Sequence, residues 1–201
     1  MLYMTIDVSE EPISAVAEYA RIPIAFEVKE VLDVVADERD PTGFRLSERR
    51  VAMPYLKDYD AISQERPTEW AQRFDVSKWG LLVGRNDGQY LGGAAVAYDT
   101  PGLDMLEGRS DLAVLWDIRV APAMRQHGVG SALFQAVEAW ASARDCRHLK
   151  VETQNINVAA CHFYARQGCM LRAVHRGAYP DFPNEVQLLW YKDLRHEATT
   201  G

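Results

Sequence analysis

From residue 79 onward, apolar and polar positions alternate regularly enough to assign elements. Residues 81–83 and 90–98 are apolar runs on either side of Asn86-Asp87-Gly88. An Asp-Gly pair supplies the positive φ angles of a tight turn, so this spacing predicts a β-hairpin. Residues 101–110 are polar and loop-forming, and 113–120 read as a strand ended by Ala121-Pro122. Over residues 128–144, Val129, Leu133, Val137, Trp140 and Ala141 recur three and four apart, the stripe of a helix with one buried face. Residues 148–153 predict a strand, and 158–167 a helix stopped by Gly168. Residues 169–174 and 186–191 predict the last two strands, and the polar tail 195–201 is expected to fray.

The first 75 residues are less regular. Residues 22–35 are rich in β-branched side chains and predict an extended segment. Residues 37–42 form a charged turn, 44–51 a second extended piece, and 54–71 a stretch helical in places. Alternating strands and helices in the second half predict an α/β fold with a mixed sheet and helices on both faces. The hairpin must be antiparallel, which argues against a purely parallel doubly wound sheet. A chain of 201 residues with 48% hydrophobic content suits a single domain spanning 1–201, with its core at about 80–192.

Charge and composition narrow the function. A formal net charge of −7 and a pI near 5.3 argue against nucleic acid as a partner and suit a cationic substrate. No run of eighteen apolar residues exists, so no membrane-spanning helix is expected. The start, MLYMTIDVSEEP, is acidic and does not resemble a secretory signal. Cys146, Cys161 and Cys169 form neither a disulfide pattern nor a zinc pattern, which points to a reducing, cytoplasmic setting. Cys161 and Cys169 occupy apolar-looking positions and are expected to be buried. His162 and His175 lack ligand spacing, and no metal is expected.

Candidate chemistry starts at Arg125-Gln126-His127-Gly128-Val129-Gly130, between a strand and a helix. Glycines there let backbone approach a ligand closely, the first N–H groups of the helix point outward, and the helix dipole favours an anion. Arg125 adds a full positive charge, and together these groups suit a pyrophosphate. Gly130-Ser131 has no Lys before the Ser, which excludes a P-loop, and two glycines fall short of a dinucleotide fingerprint. An ordinary glycine-containing turn remains open on this hexapeptide alone. His127 could touch phosphate or simply be solvated.

A second motif accompanies the first. Asn157, Ala160, Tyr164 and Gly168 follow about thirty residues later. With Arg125, Gly128 and Gly130, and with the preceding strand Trp116-Asp117-Ile118-Arg119-Val120-Ala121-Pro122, the chain resembles the GNAT acyltransferase superfamily over about residues 80–192. Cys169 stands where that family usually has Phe. The stretch Glu152-Thr153-Gln154-Asn155-Ile156-Asn157-Val158-Ala159-Ala160-Cys161-His162-Phe163-Tyr164 narrows the resemblance to streptothricin acetyltransferases.

The resemblance implies a GNAT-like, mostly antiparallel sheet with a splayed central pair of parallel strands. It implies acetyl coenzyme A as acetyl donor and transfer to a primary amine of a small cationic acceptor. Ile118, Arg119 and Val120 would meet the pantetheine arm, and Gln126, His127, Val129 and Ser131 would join Arg125, Gly128 and Gly130 around the pyrophosphate. Asn157, Ala160 and Tyr164 would line the far side, with Tyr164 as general acid. Asp117 and Glu152 interrupt apolar strands and are the candidate bases or ammonium-binding groups. Each also has a structural alternative, an ion pair with Arg119 or Lys150 respectively, two residues along the same strand face. Asp117 is expected to share its face with Leu115 as well as Arg119. Trp116 and Tyr179 are candidate acceptor contacts, the latter in a loop with Pro180, Asp181, Pro183 and Glu185 that could close over substrate. A homodimer is compatible with all of this. Two other readings stand beside it: acetylation of protein N-termini or lysines, and a non-catalytic acyl-coenzyme A binding module.

Overall fold

The computed structural model describes residues 5–194; the tail expected to fray lies outside them. In chain order the elements are β1 (Asp7–Glu11), α1 (Val16–Tyr19), β2 (Phe26–Ala36), β3 (Phe44–Lys57), α2 (Trp70–Arg73), β4 (Gly80–Asn86), β5 (Gln89–Ala97), β6 (Leu112–Val120), α3 (Val129–Ser142), β7 (His148–Gln154), α4 (Val158–Arg166), β8 (Met170–Arg176) and β9 (Val186–Asp193). They group into two compact units. Among the described residues, 5–24, 58–149 and 194 form the first, and 25–57 with 150–193 form the second.

In the first unit β1, β4, β5 and β6 lie side by side and antiparallel. The expected hairpin joins β4 to β5, with Asp87 and Gly88 at φ 47° and 79°. β1 has no counterpart in the sequence expectations. Its segment DVSEE is acidic and mostly exposed, so no apolar alternation marks it. The stripe of α3 packs on β4, β5 and β6, burying Leu133, Phe134, Val137, Trp140 and Ala141. Gly80 makes room for that helix, since a Cβ there would stand 2.5 Å from the Trp140 ring. The opposite sheet face carries Tyr19 of α1 and Trp70 of α2 in one apolar cluster with Trp79, Val83, Ala95 and Val114.

β6 contains a bulge. Ala95 stands opposite Asp117 and Val96 opposite Leu115, leaving Trp116 as an extra residue. The expectation that Leu115 shares a face with Asp117 is therefore corrected. The inserted residue shifts the alternation, so Leu115 points to one face and Asp117 and Arg119 to the other.

The second unit holds the long β2–β3 hairpin and the strands β7, β9 and β8 in that order. β3 runs through to Lys57, so residues 54–57 are strand, where a partly helical stretch was expected. Pro54 is tolerated because the ladder is irregular there: the pairing jumps from Val28–Tyr55 to Glu30–Arg50. Of the rest of 54–71, only short 3-10 turns and the first residues of α2 are helical. Asn155, buried, ties two elements together. Its main chain pairs with Leu32 and Val186, and its side chain donates to the Leu32 carbonyl (3.0 Å) and accepts from the Val186 N–H (2.8 Å). α4 opens with the Asn157 side chain accepting the Ala160 N–H (3.2 Å) and ends at Gly168 with φ 82°.

Candidate active site

Residues 125–128 form an exposed turn between β6 and α3. Gln126 and Gly128 both have positive φ, 65° and 86°, and Gly128 has no side chain with which to cap the helix. The first amides of a 14-residue helix thus face the turn, a natural anion cradle. Arg125 is exposed, its guanidinium donating to the carbonyls of Val120 and Pro23, both at 3.3 Å. These long bonds at an exposed side chain cost little to exchange for a phosphate. The His127 ring nitrogen Nδ1 lies 2.7 Å from the Arg125 carbonyl, which orients His127 within the turn. The residues present therefore fit a diphosphate.

Beyond the bulge, β6 carries a charged cluster in a dry setting. The Arg119 side chain is 1% exposed. Its Nε donates to Asp117 (2.7 Å), and its two terminal nitrogens donate to the two oxygens of Asp60 (2.7 and 2.8 Å). One of those nitrogens also donates to the Ile22 carbonyl (3.0 Å). The Tyr19 ring lies under the guanidinium carbon at 5.4 Å. Tyr19 fits because β5 offers Gly93 there; a Cβ would meet its ring at 2.7 Å. Burial pushes the Asp117 carboxyl above the usual carboxylate range, and the neighbouring Arg119 charge offsets only part of that. Burial likewise raises the Tyr19 phenol, and the Asp117 charge adds to it. The Tyr19 hydroxyl is buried and near enough to feel Asp117, yet makes no hydrogen bond of normal geometry. Ile118 and Val120, on the other face of β6, are half-buried. Trp116 meets Phe74 edge-on and Trp79 at a tilt, each with ring centroids at 5.3 Å, and so belongs to the aromatic cluster of this unit.

In the second unit Glu152 and Tyr179 meet. The Tyr179 hydroxyl donates to Glu152 (2.6 Å) and accepts from Gln154 (2.9 Å), while Gln187 donates to the other Glu152 oxygen (2.8 Å). All four side chains are half-buried. The loop carrying Tyr179 is anchored further on, where Glu185 pairs with Lys57 at 2.6 Å and Phe182 lies under the Lys57 ammonium at 3.5 Å. Glu185 is thus an anchor of the loop. A cleft of about 630 Å³ in this unit is lined in part by Asp33, Tyr55, Asn155 and Phe182. Tyr164 is buried on α4 with its ring 5.2 Å from that of Phe163.

Asp60, Tyr19 and Gln187 were missed by sequence reasoning. Nothing in the spacing of DYDAIS marks Asp60. Gly92-Gly93 inside an apolar strand did carry a signal, because paired glycines announce a close approach. Gly92 meets the Arg119 carbonyl, where a Cβ would stand at 2.6 Å, and Gly93 receives Tyr19.

Comparison with known proteins bears on this geometry. Residues 48–169 match the model of the acetyltransferase (GNAT) family. The chain is similar to a streptothricin acetyltransferase of Escherichia coli, 31% identical over 169 residues that cover 83% of this chain and 84% of that protein. It is also 42% identical over 81 residues to streptothricin acetyltransferase A of Bacillus subtilis (strain 168); that match covers 39% of this chain and spans about half, 47%, of the Bacillus protein. A Bacillus anthracis str. Ames protein solved in complex with acetyl coenzyme A shares the fold, with a TM-score of 0.74 at 21% identity over 94% of this chain and 99% of that chain. The mixed, mostly antiparallel sheet with helices is common to both.

Proposed function

Because this chain belongs to the acetyltransferase (GNAT) family, we propose that it moves an acetyl group to a primary amine of a small cationic acceptor, with streptothricin as the leading candidate. The donor is acetyl coenzyme A. When bound, it supplies a thioester carbonyl that a neutral amine can attack.

The residues divide the work. Arg125, Gln126, His127, Gly128, Val129, Gly130 and Ser131 hold the diphosphate with charge and backbone amides. Ile118, Arg119 and Val120 of β6, together with Asn157 and Ala160 of α4, orient the arm. The bulge at Trp116 interrupts the ladder and leaves backbone polar groups for a ligand. An alkylammonium has a pKa near 10.4 and must lose a proton before it reacts. Asp117 takes that proton at a carboxylate oxygen; burial raises its affinity for a proton, the direction a general base needs. Glu152, oriented by Tyr179 and Gln187, holds the acceptor's ammonium. The Tyr164 hydroxyl returns a proton to the departing sulfur. Both units serve one acetyltransferase domain in this reading.

The observation that carries the acceptor is the likeness to the E. coli enzyme along 83% of the chain. The acidic balance of −7 and the Glu152–Tyr179 cluster agree with a cationic acceptor. The cleft in the second unit, about 630 Å³, is of a size for a small molecule. A thiol-release assay with acetyl coenzyme A against streptothricin, aminoglycosides, polyamines and short peptides tests this. Turnover with streptothricin at low concentration is expected; turnover on peptides alone overturns the acceptor.

A further inference from the structure

Arg119 faces two carboxylates, and they do not share it equally. Asp60 takes both terminal nitrogens, at 2.7 and 2.8 Å, in the paired geometry that a guanidinium favours. Asp117 receives only Nε, at 2.7 Å. Two negative groups stand against one positive group in a site where Arg119 is 1% exposed and the Asp117 side chain 9%. A charge of that kind without its own counter-ion is costly in a dry setting. Asp60, at 22% exposure, is the better solvated of the two, so the unbalanced charge falls on Asp117. Tyr19 closes the cluster from α1; its hydroxyl makes no hydrogen bond of normal geometry but lies close enough to Asp117 to favour the ionised carboxylate, a smaller effect than burial.

We infer that Asp60 is a positioning residue for proton transfer: by occupying the paired edge of Arg119 it leaves Asp117 as the carboxylate that gains most from accepting a proton. This rests on Asp117 being the base. The groups that face Asp117 are Arg119 on its own strand, Asp60 on the loop after β3, and Tyr19 on α1. The Asp60 charge itself disfavours ionisation of Asp117, in line with the geometry. Proton transfer runs from the acceptor's ammonium nitrogen to an Asp117 oxygen, and from there to solvent.

The consequence has a definite sign. Asp60→Asn removes one negative charge and frees Arg119 for Asp117. Both changes favour ionised Asp117, so its titration should fall by about one pH unit. Carboxyl 13C NMR of aspartate-labelled protein follows this without any acceptor, with Asp117→Asn assigning the resonance. The midpoint of Asp117 should lie above the ordinary carboxylate range in the unmodified chain and drop in Asp60→Asn; an unmoved midpoint overturns the inference. Should Asp60→Asn fail to fold, the unmodified chain still decides, since an Asp117 midpoint at or below the ordinary range overturns it equally. The pH profile of kcat/KM with streptothricin separates the two ideas. Loss of the acidic limb in Asp117→Asn, with a limb shifted down in Asp60→Asn, supports both. Loss of the limb in Asp117→Asn with an unshifted limb in Asp60→Asn removes Asp60 and keeps the base. A limb retained in Asp117→Asn removes the base, and the role of Asp60 with it.

Discussion

Two carboxylates interrupt apolar strands in this chain, and the two units handle them differently. Asp117, in the first unit, sits in a dry cluster around a guanidinium shared with Asp60. Glu152, in the second, is half-buried and receives hydrogen bonds from a phenol and an amide. A guanidinium supplies charge, and its removal strands whatever it neutralised. Phenol and amide donors supply direction, and their removal mainly loosens it. The first arrangement alters how tightly a proton is held, whereas the second fixes where an oxygen points.

The sharpest way to break that contrast is Arg119→Met. It leaves Asp117 and Asp60 facing each other in a buried site, and should cost about 3–5 kcal/mol of stability. Urea unfolding of the variant measures this, and a loss below 1 kcal/mol would place the cluster among dispensable ion pairs. Next in size is Glu152→Gln, which keeps shape but removes the charge offered to an ammonium. Acceptor kcat/KM should fall by about 2 kcal/mol, some thirtyfold, mostly through KM, while the KM for acetyl coenzyme A stays as it was. An unchanged acceptor KM would dissociate Glu152 from binding.

A third measurement follows stability against pH. The folded pKa of Asp117 is raised above its unfolded value, so its contribution is fully present below the ordinary carboxylate range. That contribution is lost as pH rises through the raised value. Asp117→Asn removes the slope, so the Tm of the variant relative to the unmodified chain should climb as pH rises from the ordinary carboxylate range through the raised value. A flat difference would mean that Asp117 is ionised throughout. Smallest is Tyr179→Phe, which frees one Glu152 oxygen of its phenol and should raise acceptor KM by about threefold, near 0.6 kcal/mol. An effect as large as that of Glu152→Gln would make Tyr179 a binding group in its own right.

Much of the scaffold was legible because it is written locally. The Asp87-Gly88 turn, the stripe of α3 and the Gly168 stop each depend on residues within a few positions of one another. The pairing of Asp117 with Arg119 was legible for the same reason, being two residues apart. What escaped was written at a distance. Arg119 reaches Asp60 across 59 positions and Ile22 across 97, and no period in a sequence encodes such contacts. β1 was invisible because an acidic edge strand lacks the apolar alternation that marks a half-buried one. β3 was cut short because Pro54 argues against a strand unless the pairing is irregular, and that irregularity is a property of two segments together.

The extra residue in β6 can be subtracted on paper. Without Trp116 the ladder closes cleanly, Val96 still opposite Leu115 and Ala95 still opposite Asp117, with every other side chain on its present face. The ladder by itself does not need the inserted residue; what the extra position adds to the fold is its indole, packed against Phe74 and Trp79. Deleting Trp116 separates the two demands: a variant that folds but no longer transfers acetyl groups would assign the bulge to the reaction, and one that fails to fold would assign it to the aromatic cluster.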